Sequence, residues 1–225
     1  MNLVELTSKR LDAEPFTTSD VIAENIGLSH RSLKRTITNH KDRLEHFGKM
    51  RTTFTPLSSG QTSVSYQLNE RQAMMLFFYL SNTPQVEEFQ ERLVNQFSSM
   101  KRALIERQAK HELGKEFSKT LHEAIKESPT LGDHGHLYIN INRLVYRQAL
   151  GVSTSELRQA RHIPKTDAIT NYLSASEADA IRKVKNQITA LLDMKFNYQQ
   201  IKAALQVQGI IYHIQLSLPT KAVTR

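Results

Sequence analysis

The most informative stretch of the chain is residues 17–38, which read TTSDVIAENIGLSHRSLKRTIT. Its first four residues offer side-chain oxygens that cap the start of a helix. Gly27 suits the end of that helix, because glycine adopts the left-handed conformation at little cost. A second helix is predicted from Ser29, with Leu33 and Ile37 buried at a four-residue spacing. Two helices joined by a glycine turn are typical of a helix-turn-helix.

The same stretch meets the packing requirements of that motif. Helix crossing needs apolar residues at the contact and a small residue where the two backbones approach. One departure is Thr36, which stands at a position that is usually apolar. The crossing residues are Ile22, Ile26, Leu28 and Leu33, the small residue is Ala23, and the turn residue is Gly27.

Basic charge is concentrated around the second helix. The chain has 225 residues, with 30 Lys+Arg against 22 Asp+Glu and a net charge of +8, and residues 28–51 hold seven basic and two acidic side chains. Such an asymmetry is expected where one face meets a polyanion. Arginine pairs with guanine, while lysine and hydroxyl groups suit phosphates. The predicted DNA-binding residues are Ser29, His30, Arg31, Lys34, Arg35, Thr38, Lys41, Lys49 and Arg51. The alternative is an ordinary helical hairpin with a solvated basic face.

A β-hairpin is predicted after this helix pair. Thr52–Leu57 and Thr62–Leu68 have the composition of strands, and Ser58-Ser59-Gly60 forms the turn between them. The hairpin would be a wing, with Lys49 and Arg51 at its base for phosphate contact. The fold class is therefore mainly α: an N-terminal winged helix-turn-helix with a small β-hairpin, a long connecting helix and an all-helical C-terminal domain.

Two apolar helices are predicted next. The capping box Asn69-x-x-Gln72 opens the first, in which Met74, Met75, Phe77 and Phe78 are expected in the core. Thr83 and Pro84 open the second, whose apolar residues recur close to every 3.5 positions. They are Val86, Phe89, Leu93, Phe97, Met100 and Leu104. This seam must be buried either against the rest of the chain or against a second copy, which would make it an oligomerisation surface.

The sequence predicts three segments: a winged helix-turn-helix at residues 1–82, a helical connector at 83–127 and a helical domain at 128–225. Loop residues around Ser128-Pro129 and Gly132–Gly135 mark the last boundary. Helices are then predicted at Tyr138–Leu150, after Ser153, after Ser174 and after Asn197. The tail Ile210–Leu218 is predicted as a strand or as an arm laid on a partner.

Several function classes are excluded by composition. The absence of cysteine excludes disulfides, thiolate zinc sites and iron–sulfur clusters. His134 and His136, with Asp133, are a weak basis for a metal site. No phosphate loop or nucleophile motif occurs, so neither an enzyme nor a cofactor is expected. No apolar run reaches about 20 residues and no secretory signal is present, so we expect a cytoplasmic protein without a membrane partner.

The N-terminal half resembles a known family. Thr17-Thr18-Ser19, Ala23-Glu24, Gly27, His30, Arg35 and Ile37 are similar to the opening of phage Rha-type regulatory proteins. Tyr66-x-Leu68, the helix Ala73–Leu80 and the Phe89…Phe97 helix are similar to the rest of that domain. The likeness covers roughly residues 15–100, although Ser81-Asn82-Thr83-Pro84 stands where the family usually has glycines.

The C-terminal half resembles the C-terminal domains of phage antirepressors. The similarity lies in His134-Gly135-His136-x-Tyr138, in Asn142–Arg147 and in Gly151. Antirepressors bind a phage repressor protein and remove it from its operator. A partner-binding surface is predicted at His136, Tyr138, Asn142, Tyr146 and Arg147, since tyrosine and arginine are frequent in binding hot spots. The alternative places the tyrosines and Arg147 half-buried in the core.

Two functions follow from these resemblances. The first is a regulator that binds double-stranded DNA in the lysis–lysogeny switch of a phage or prophage, as a homo-oligomer (dimer or tetramer) in the cytoplasm of the bacterial host. The second is an antirepressor that inactivates a phage repressor protein through the C-terminal domain. The sequence does not choose between them, and it does not specify the operator.

Overall fold

The chain divides into two units, Met1–Leu104 and Ile105–Arg225. A computed structural model describes residues 2–56, 62–128 and 136–216. The predicted connector at 83–127 is therefore divided between the two units. The predicted hairpin turn, the boundary loop with Asp133 and His134, and the end of the tail lie outside the described residues.

The first unit combines short helices with a small sheet. Its elements are β1 (Glu5–Leu6), β2 (Pro15–Thr18), α1 (Ser19–Asn25), α2 (His30–Asn39), α3 (Lys41–Glu45), β3 (Arg51–Pro56), β4 (Thr62–Leu68), α4 (Glu70–Phe77) and the first part of α5 (Pro84–Glu127). The second unit contains the rest of α5 and an all-helical remainder. Its elements are α6 (His136–Leu150), α7 (Thr154–Arg161), a 3-10 helix (Ile169–Tyr172), α8 (Ala175–Asp193) and α9 (Tyr198–Gln208).

The predicted capping residues start the helices of the first unit. The Val21 amide donates to Thr18 Oγ1 at 3.4 Å and the Ser32 amide donates to Ser29 Oγ at 3.1 Å. Asn69 and Gln72 form the predicted capping box of α4. Helix α1 ends before Gly27, whose φ of +69° lies in the left-handed region.

The sheet has four antiparallel strands in the order β1-β2-β4-β3. The two predicted strands of the hairpin are present, and β3 starts one residue earlier than predicted; its predicted last residue, Leu57, lies outside the described residues. Strands β1 and β2 and the helix α3 were not predicted. Strand β2 pairs Thr17 with Leu68, about fifty positions along the chain, and so depends on a contact that no local pattern reports.

The seam of α5 packs within its own chain. Val86, Phe89, Leu93 and Phe97 are buried in the core of the first unit, and Met100 packs partly against it. Of the two alternatives left open, the structure shows packing on the N-terminal unit, and self-association stays a prediction. The same core contains the buried residues Ile22, Ala23, Ile26, Leu33, Ile37, Leu44, Leu68, Ala73, Leu76 and Phe77.

Two apolar residues were wrongly expected in this core. Leu28 is 41% exposed, because the left-handed turn at Gly27 carries it away from the helix crossing. Phe78 is 83% exposed, because α4 ends at Phe77 and Phe78 follows as the C-cap residue.

The second unit is built around the buried face of α6. Ile141, Val145 and Ala149 of this helix are buried together with Ile181, Val184 and Ile188 of α8. Capping boxes begin α7 and α8 at Ser153 and Ser174, as predicted. Asn197 caps α9 as predicted, and it also forms a capping box with Gln200 that was not predicted. The remaining buried residues are Leu121, Tyr146, Leu150, Leu157, Leu173, Ala180, Leu192, Ile201 and Leu205.

The described part of the tail lies as an arm on its own chain. Its described part, residues 210–216, contains no strand. The amides of Ile211 and Tyr212 donate to the carbonyls of Gln148 and Ala149 at 3.2 and 2.9 Å. These bonds engage carbonyls at the C-terminal end of α6, where a helix leaves its last carbonyls without intrahelical partners.

The predicted fold class is confirmed: the chain is mainly α, with a small antiparallel sheet and one long helix. None of the helices in the described ranges combines the length and apolar character that crossing a membrane requires.

Candidate nucleic-acid interface

The turn between α1 and α2 is held by Gly27 and by a contact from α5. The side-chain amide of Gln85 donates to the Asn25 carbonyl at 2.9 Å. A Cβ on Gly27 would stand 3.2 Å from Gln85 Oε1 and would also carry a positive φ. Glycine therefore suits this turn for two reasons, its conformation and its closeness to Gln85.

Helix α2 has one buried face and one basic face. Leu33 and Ile37 are fully buried. Arg31, Arg35 and Thr38 are exposed and follow one another at spacings of four and three residues, which places them on one side of the helix, away from the buried pair. Among the residues that the structure describes, neither guanidinium group has an ion-pair or hydrogen-bond partner, so both are available to a ligand on this face.

Three of the predicted DNA-binding residues on α2 instead have roles inside the protein. Ser29 caps the helix, and its hydroxyl also donates to Ser32 Oγ at 2.8 Å. Lys34 Nζ donates to the Val64 carbonyl at 3.3 Å, which joins α2 to β4. Thr38 remains exposed, but its hydroxyl donates to the Lys34 carbonyl at 2.9 Å. These hydroxyl and ammonium groups therefore have less hydrogen-bonding capacity for a ligand than the sequence indicates.

His30 belongs to a partly buried polar network and does not face outward as predicted. Its Nε2 lies 2.9 Å from Ser19 Oγ and 2.8 Å from Asp20 Oδ1. Ser19 Oγ also lies 3.0 Å from Ser65 Oγ and accepts the Tyr66 amide at 3.0 Å. The network connects α2 to the start of α1 and to β4.

The electrostatic surroundings of His30 favour its neutral form. Desolvation by burial lowers the pKa of His30 from 6.5, and Asp20 opposes this shift while Lys34 adds to it. A histidine that is neutral near pH 7 and bonded to Ser19 contributes little positive charge to the basic face. Its role in the structure is to position α2.

The remaining predicted DNA-binding residues are exposed but lie on other elements. Lys41 is on α3, Lys49 precedes β3 and Arg51 starts β3, opposite Gln67 of β4. The Lys34–Val64 bond brings α2 next to the hairpin that begins with Arg51. No hydrogen bond or ion pair among the described residues joins the side chain of Lys41 or Lys49 to α2.

The predicted partner-binding residues of α6 divide into exposed and buried positions. Tyr138, Asn142 and Arg147 are exposed, and the Tyr138 ring meets His122 edge to face at 4.6 Å. Tyr146 is 5% exposed and belongs to the core of the second unit, which corrects its assignment to a binding surface. Burial raises the pKa of Tyr146 to about 12. The side chain of His136 lies outside the described residues.

Two basic residues beside Arg147 were not predicted. Arg143 precedes it by one helical turn on α6, and Lys202 lies on α9. Together with Tyr198 these side chains line a cleft of about 510 Å³. The four-residue spacing of the two arginines was the available signal, but the meeting of α6 with α9 is a tertiary contact that the spacing does not report.

Comparison with known proteins identifies a family for one part of the chain. No curated protein matches the sequence. The resemblance of the C-terminal half to antirepressor domains gains no support from the comparisons. Residues 17–102, which contain α1, α2, the hairpin, α4 and the buried seam of α5, match the family of the phage regulatory protein Rha, and this confirms the predicted resemblance of the N-terminal half.

Proposed function

We propose that this protein is a phage regulator that binds double-stranded DNA through α1, α2 and the β3–β4 hairpin. In this proposal α2 is the recognition helix of a helix-turn-helix and the hairpin is its wing. The family match supports a role in phage regulation, and that family suggests a regulator without enzymatic activity. The site of action is the lysis–lysogeny switch in the cytoplasm of the host.

The basic face of α2 is the observation that carries this proposal. Arg31 and Arg35 are exposed on the face opposite to Leu33 and Ile37. Guanidinium groups in the major groove pair bidentately with guanine, which gives sequence selectivity. Lys41, Lys49 and Arg51 are assigned to phosphates, where charge matters more than geometry.

His30, Ser29 and Lys34 support binding indirectly. His30 and Ser29 fix the start of α2, and Lys34 fixes the distance between α2 and the hairpin. A recognition helix must be held rigidly, because a base contact is lost when a side chain is displaced by about an ångström. We expect substitutions here to weaken binding by loosening the helix.

The direct test compares Arg31→Ala/Arg35→Ala with Arg71→Ala/Arg102→Ala. The control pair removes two exposed arginines of the same unit from α4 and α5. Binding sites are first selected from a random duplex library, and affinities are then measured by gel shift. Two lost base contacts should weaken binding at least about 30-fold, since each bidentate contact contributes about 1–3 kcal/mol. The control pair should lose far less.

Wild-type binding should also fall steeply as salt rises from about 50 to 200 mM, as expected for several phosphate contacts. Equal affinity of the α2 double variant and the wild type would refute the assignment of α2. Circular dichroism on both variants verifies that the fold is retained.

A homo-oligomer is part of the proposal, because a helix-turn-helix protein that reads a palindromic operator pairs its half-sites through two-fold symmetry. The buried part of the α5 seam is occupied by the N-terminal core. We therefore assign the association to surfaces other than Val86, Phe89, Leu93 and Phe97.

The second candidate function is inactivation of a phage repressor protein by direct binding. Exposed Tyr138, Asn142 and Arg147 on α6 favour it, because tyrosine and arginine anchor many protein interfaces. The full-length protein should then retain the repressor encoded by the same phage in a pull-down. Tyr138→Ala/Arg147→Ala should lose it, while Arg31→Ala/Arg35→Ala should not. Retention that is equal in both double variants would count against this surface.

A further inference from the structure

A cavity of about 210 Å³ in the second unit contains a buried lysine. The cavity lies between the part of α5 that follows Leu104, the region of the 3-10 helix and α8. Its polar lining consists of Lys110, His111, Lys115, Ser118, Thr170 and Lys185.

Lys185 is buried without an acidic partner. It is 8% exposed and follows Val184, a residue of the unit's core, on α8. Its Nζ donates to Ser118 Oγ, and that hydroxyl in turn donates to the Gly114 carbonyl at 2.7 Å. An ammonium group has three donors. Among the described residues, Ser118 supplies its one acceptor, and no carboxylate lies within 4 Å.

The nearby carboxylates are engaged by other cations. Asp179 pairs with Lys110 at 3.7 Å, with Arg182 at 2.7 Å and with Lys183 at 3.3 Å. Glu112 pairs with Lys115 at 2.8 Å. Among the described residues, the lining of the cavity contains three lysines and no carboxylate.

His111 contributes a buried ring nitrogen to the lining of the cavity. Its Nδ1 is buried and makes no hydrogen bond with any residue that the structure describes, although Glu112 Oε1 lies 3.4 Å away. Buried polar atoms in proteins nearly always have a partner. Lys185 Nζ uses one of its three donors on Ser118, so the cavity retains donor capacity that a ligand can use.

We propose that this cavity binds a compact oxyanion, with Lys185 as its buried counter-charge and Lys110 and His111 as further donors. An isolated ammonium is strongly disfavoured in a protein interior, and an anion beside it removes most of that penalty. The volume suits a phosphate-sized ion with a few waters, since each water occupies about 30 Å³. It lies below the range of about 300–1,000 Å³ that is typical of sites for larger organic ligands.

The burial of Lys185 has a second consequence in the absence of an anion. Desolvation lowers the pKa of Lys185. Without an anion, the protein therefore contains a lysine whose charged form is destabilised by burial. A bound oxyanion reduces this cost, and replacement of Lys185 by an apolar residue removes it. Replacement of Lys185 by an apolar residue should therefore stabilise the protein and abolish its response to phosphate, a combination that ordinary surface binding of phosphate does not produce.

The test is thermal unfolding and calorimetric titration of the full-length protein with inorganic phosphate, with chloride at equal ionic strength as the reference. The wild type should be stabilised by phosphate with a saturable dependence on its concentration. Lys185→Met should unfold at a higher temperature than the wild type without phosphate and should show no phosphate response. Lys183→Met, on the same helix and 55% exposed at its side chain, should respond as the wild type does.

A second variant keeps the proposal testable if Lys185→Met fails to fold. Lys110→Ala removes a partly exposed cation and should weaken phosphate binding about tenfold, as expected for the loss of one charge-assisted hydrogen bond. Titration with malonate distinguishes a carboxylate source from a phosphate source, and saturable binding of either supports the site. A wild type that neither phosphate nor malonate stabilises more than chloride does, or a Lys185→Met variant that responds as the wild type does, would overturn the proposal.

Discussion

His30 illustrates how a residue next to a proposed DNA-binding face can serve the fold. Its ring is bonded to Ser19 and Asp20, and through Ser19 it reaches Ser65 and the Tyr66 amide. Sequence position alone indicated an outward orientation, because His30 is the first residue of α2. The pairing with Ser19 depends on where α1 crosses α2, and local spacing does not report that crossing.

A pH-dependent stability follows from the lowered pKa of His30. Burial lowers the pKa of His30 in the folded state below the value near 6.5 that it has in the unfolded chain, so the folded state binds a proton at His30 less readily. The contribution of His30 to stability is therefore complete above about pH 6.5 and is lost as the pH falls through the lowered folded value. Asp20 limits the size of this effect, because it raises the same pKa.

His30→Gln should reduce the difference in urea-unfolding midpoint between pH 7 and pH 5, compared with the wild type. His46→Gln, at an exposed histidine of the same unit, serves as the control and should leave that difference unchanged. The same pH dependence in wild type and His30→Gln would contradict the role given to this histidine.

At the scale of secondary-structure elements, the second unit contains two similar capping boxes with different surroundings. Glu156 caps α7 at the exposed surface. Glu177 caps α8 and is buried, and it also accepts hydrogen bonds from Arg161, which joins α7 to α8. Burial by itself raises the pKa of Glu177, but the hydrogen bonds from Arg161 and Ser174 outweigh it, and the pKa lies below 4.5.

This pair of glutamates gives a matched test of the buried ion pair. Glutamine keeps the capping acceptor in both cases and removes the charge. Glu156→Gln should leave the free energy of unfolding nearly unchanged, because water screens the exposed charge that it removes. Glu177→Gln should cost about 3 kcal/mol, the lower end of the range for a broken buried pair, because Arg161 keeps some solvent contact.

Chemical denaturation at pH 7 measures both values. The contribution of Glu177 should be complete above pH 4.5 and should be lost as the pH falls through its lowered folded value. If the two substitutions lower the free energy of unfolding by similar amounts, the ion pair with Arg161 contributes no stability beyond that of the capping box.

Elements with strong local signals could be predicted from the sequence. The capping residues Ser29, Asn69, Ser153, Ser174 and Asn197 all begin helices, because a side-chain oxygen that satisfies the first amides acts within three residues. Elements that depend on distant pairing could not be predicted. Strand β2 exists because Thr17 pairs with Leu68, and its residues taken alone also suit a helix cap.

The candidate site was predictable to a similar degree. Arg31 and Arg35 are exposed as predicted, since their spacing relative to Leu33 and Ile37 fixes their side of the helix. Lys34 was predicted to contact DNA. Its contact with the Val64 carbonyl was missed, because the two residues are thirty positions apart in the sequence. Tyr146 was predicted on a surface, although the buried Ala149 and Leu150 follow it at three and four residues, the spacing of one helix face.

For the whole molecule, charge is distributed unevenly along the chain. Residues 28–51 have a local charge of +5, and residues 128–225 hold twelve basic and six acidic side chains. In the second unit part of the positive charge lies around Lys185 and in the Arg143–Lys202 cleft. The net charge of +8 therefore does not measure DNA binding, which we assign to the first unit.

The absence of cysteine makes a direct test of this assignment feasible. Thr38→Cys places one reactive thiol on the proposed recognition helix, at a residue whose hydroxyl bonds to the Lys34 carbonyl. Arg102→Cys places a thiol at an exposed position on α5 as the control. Each variant is labelled with a chelated iron reagent that cleaves nearby DNA.

The decisive measurement is cleavage of the selected duplex by these two labelled proteins. We predict cuts within the bound site from the reagent at position 38, and few or none from position 102. Absence of cuts from position 38 while the labelled protein remains bound, or equal cutting from both positions, would contradict the placement of α2 in the major groove.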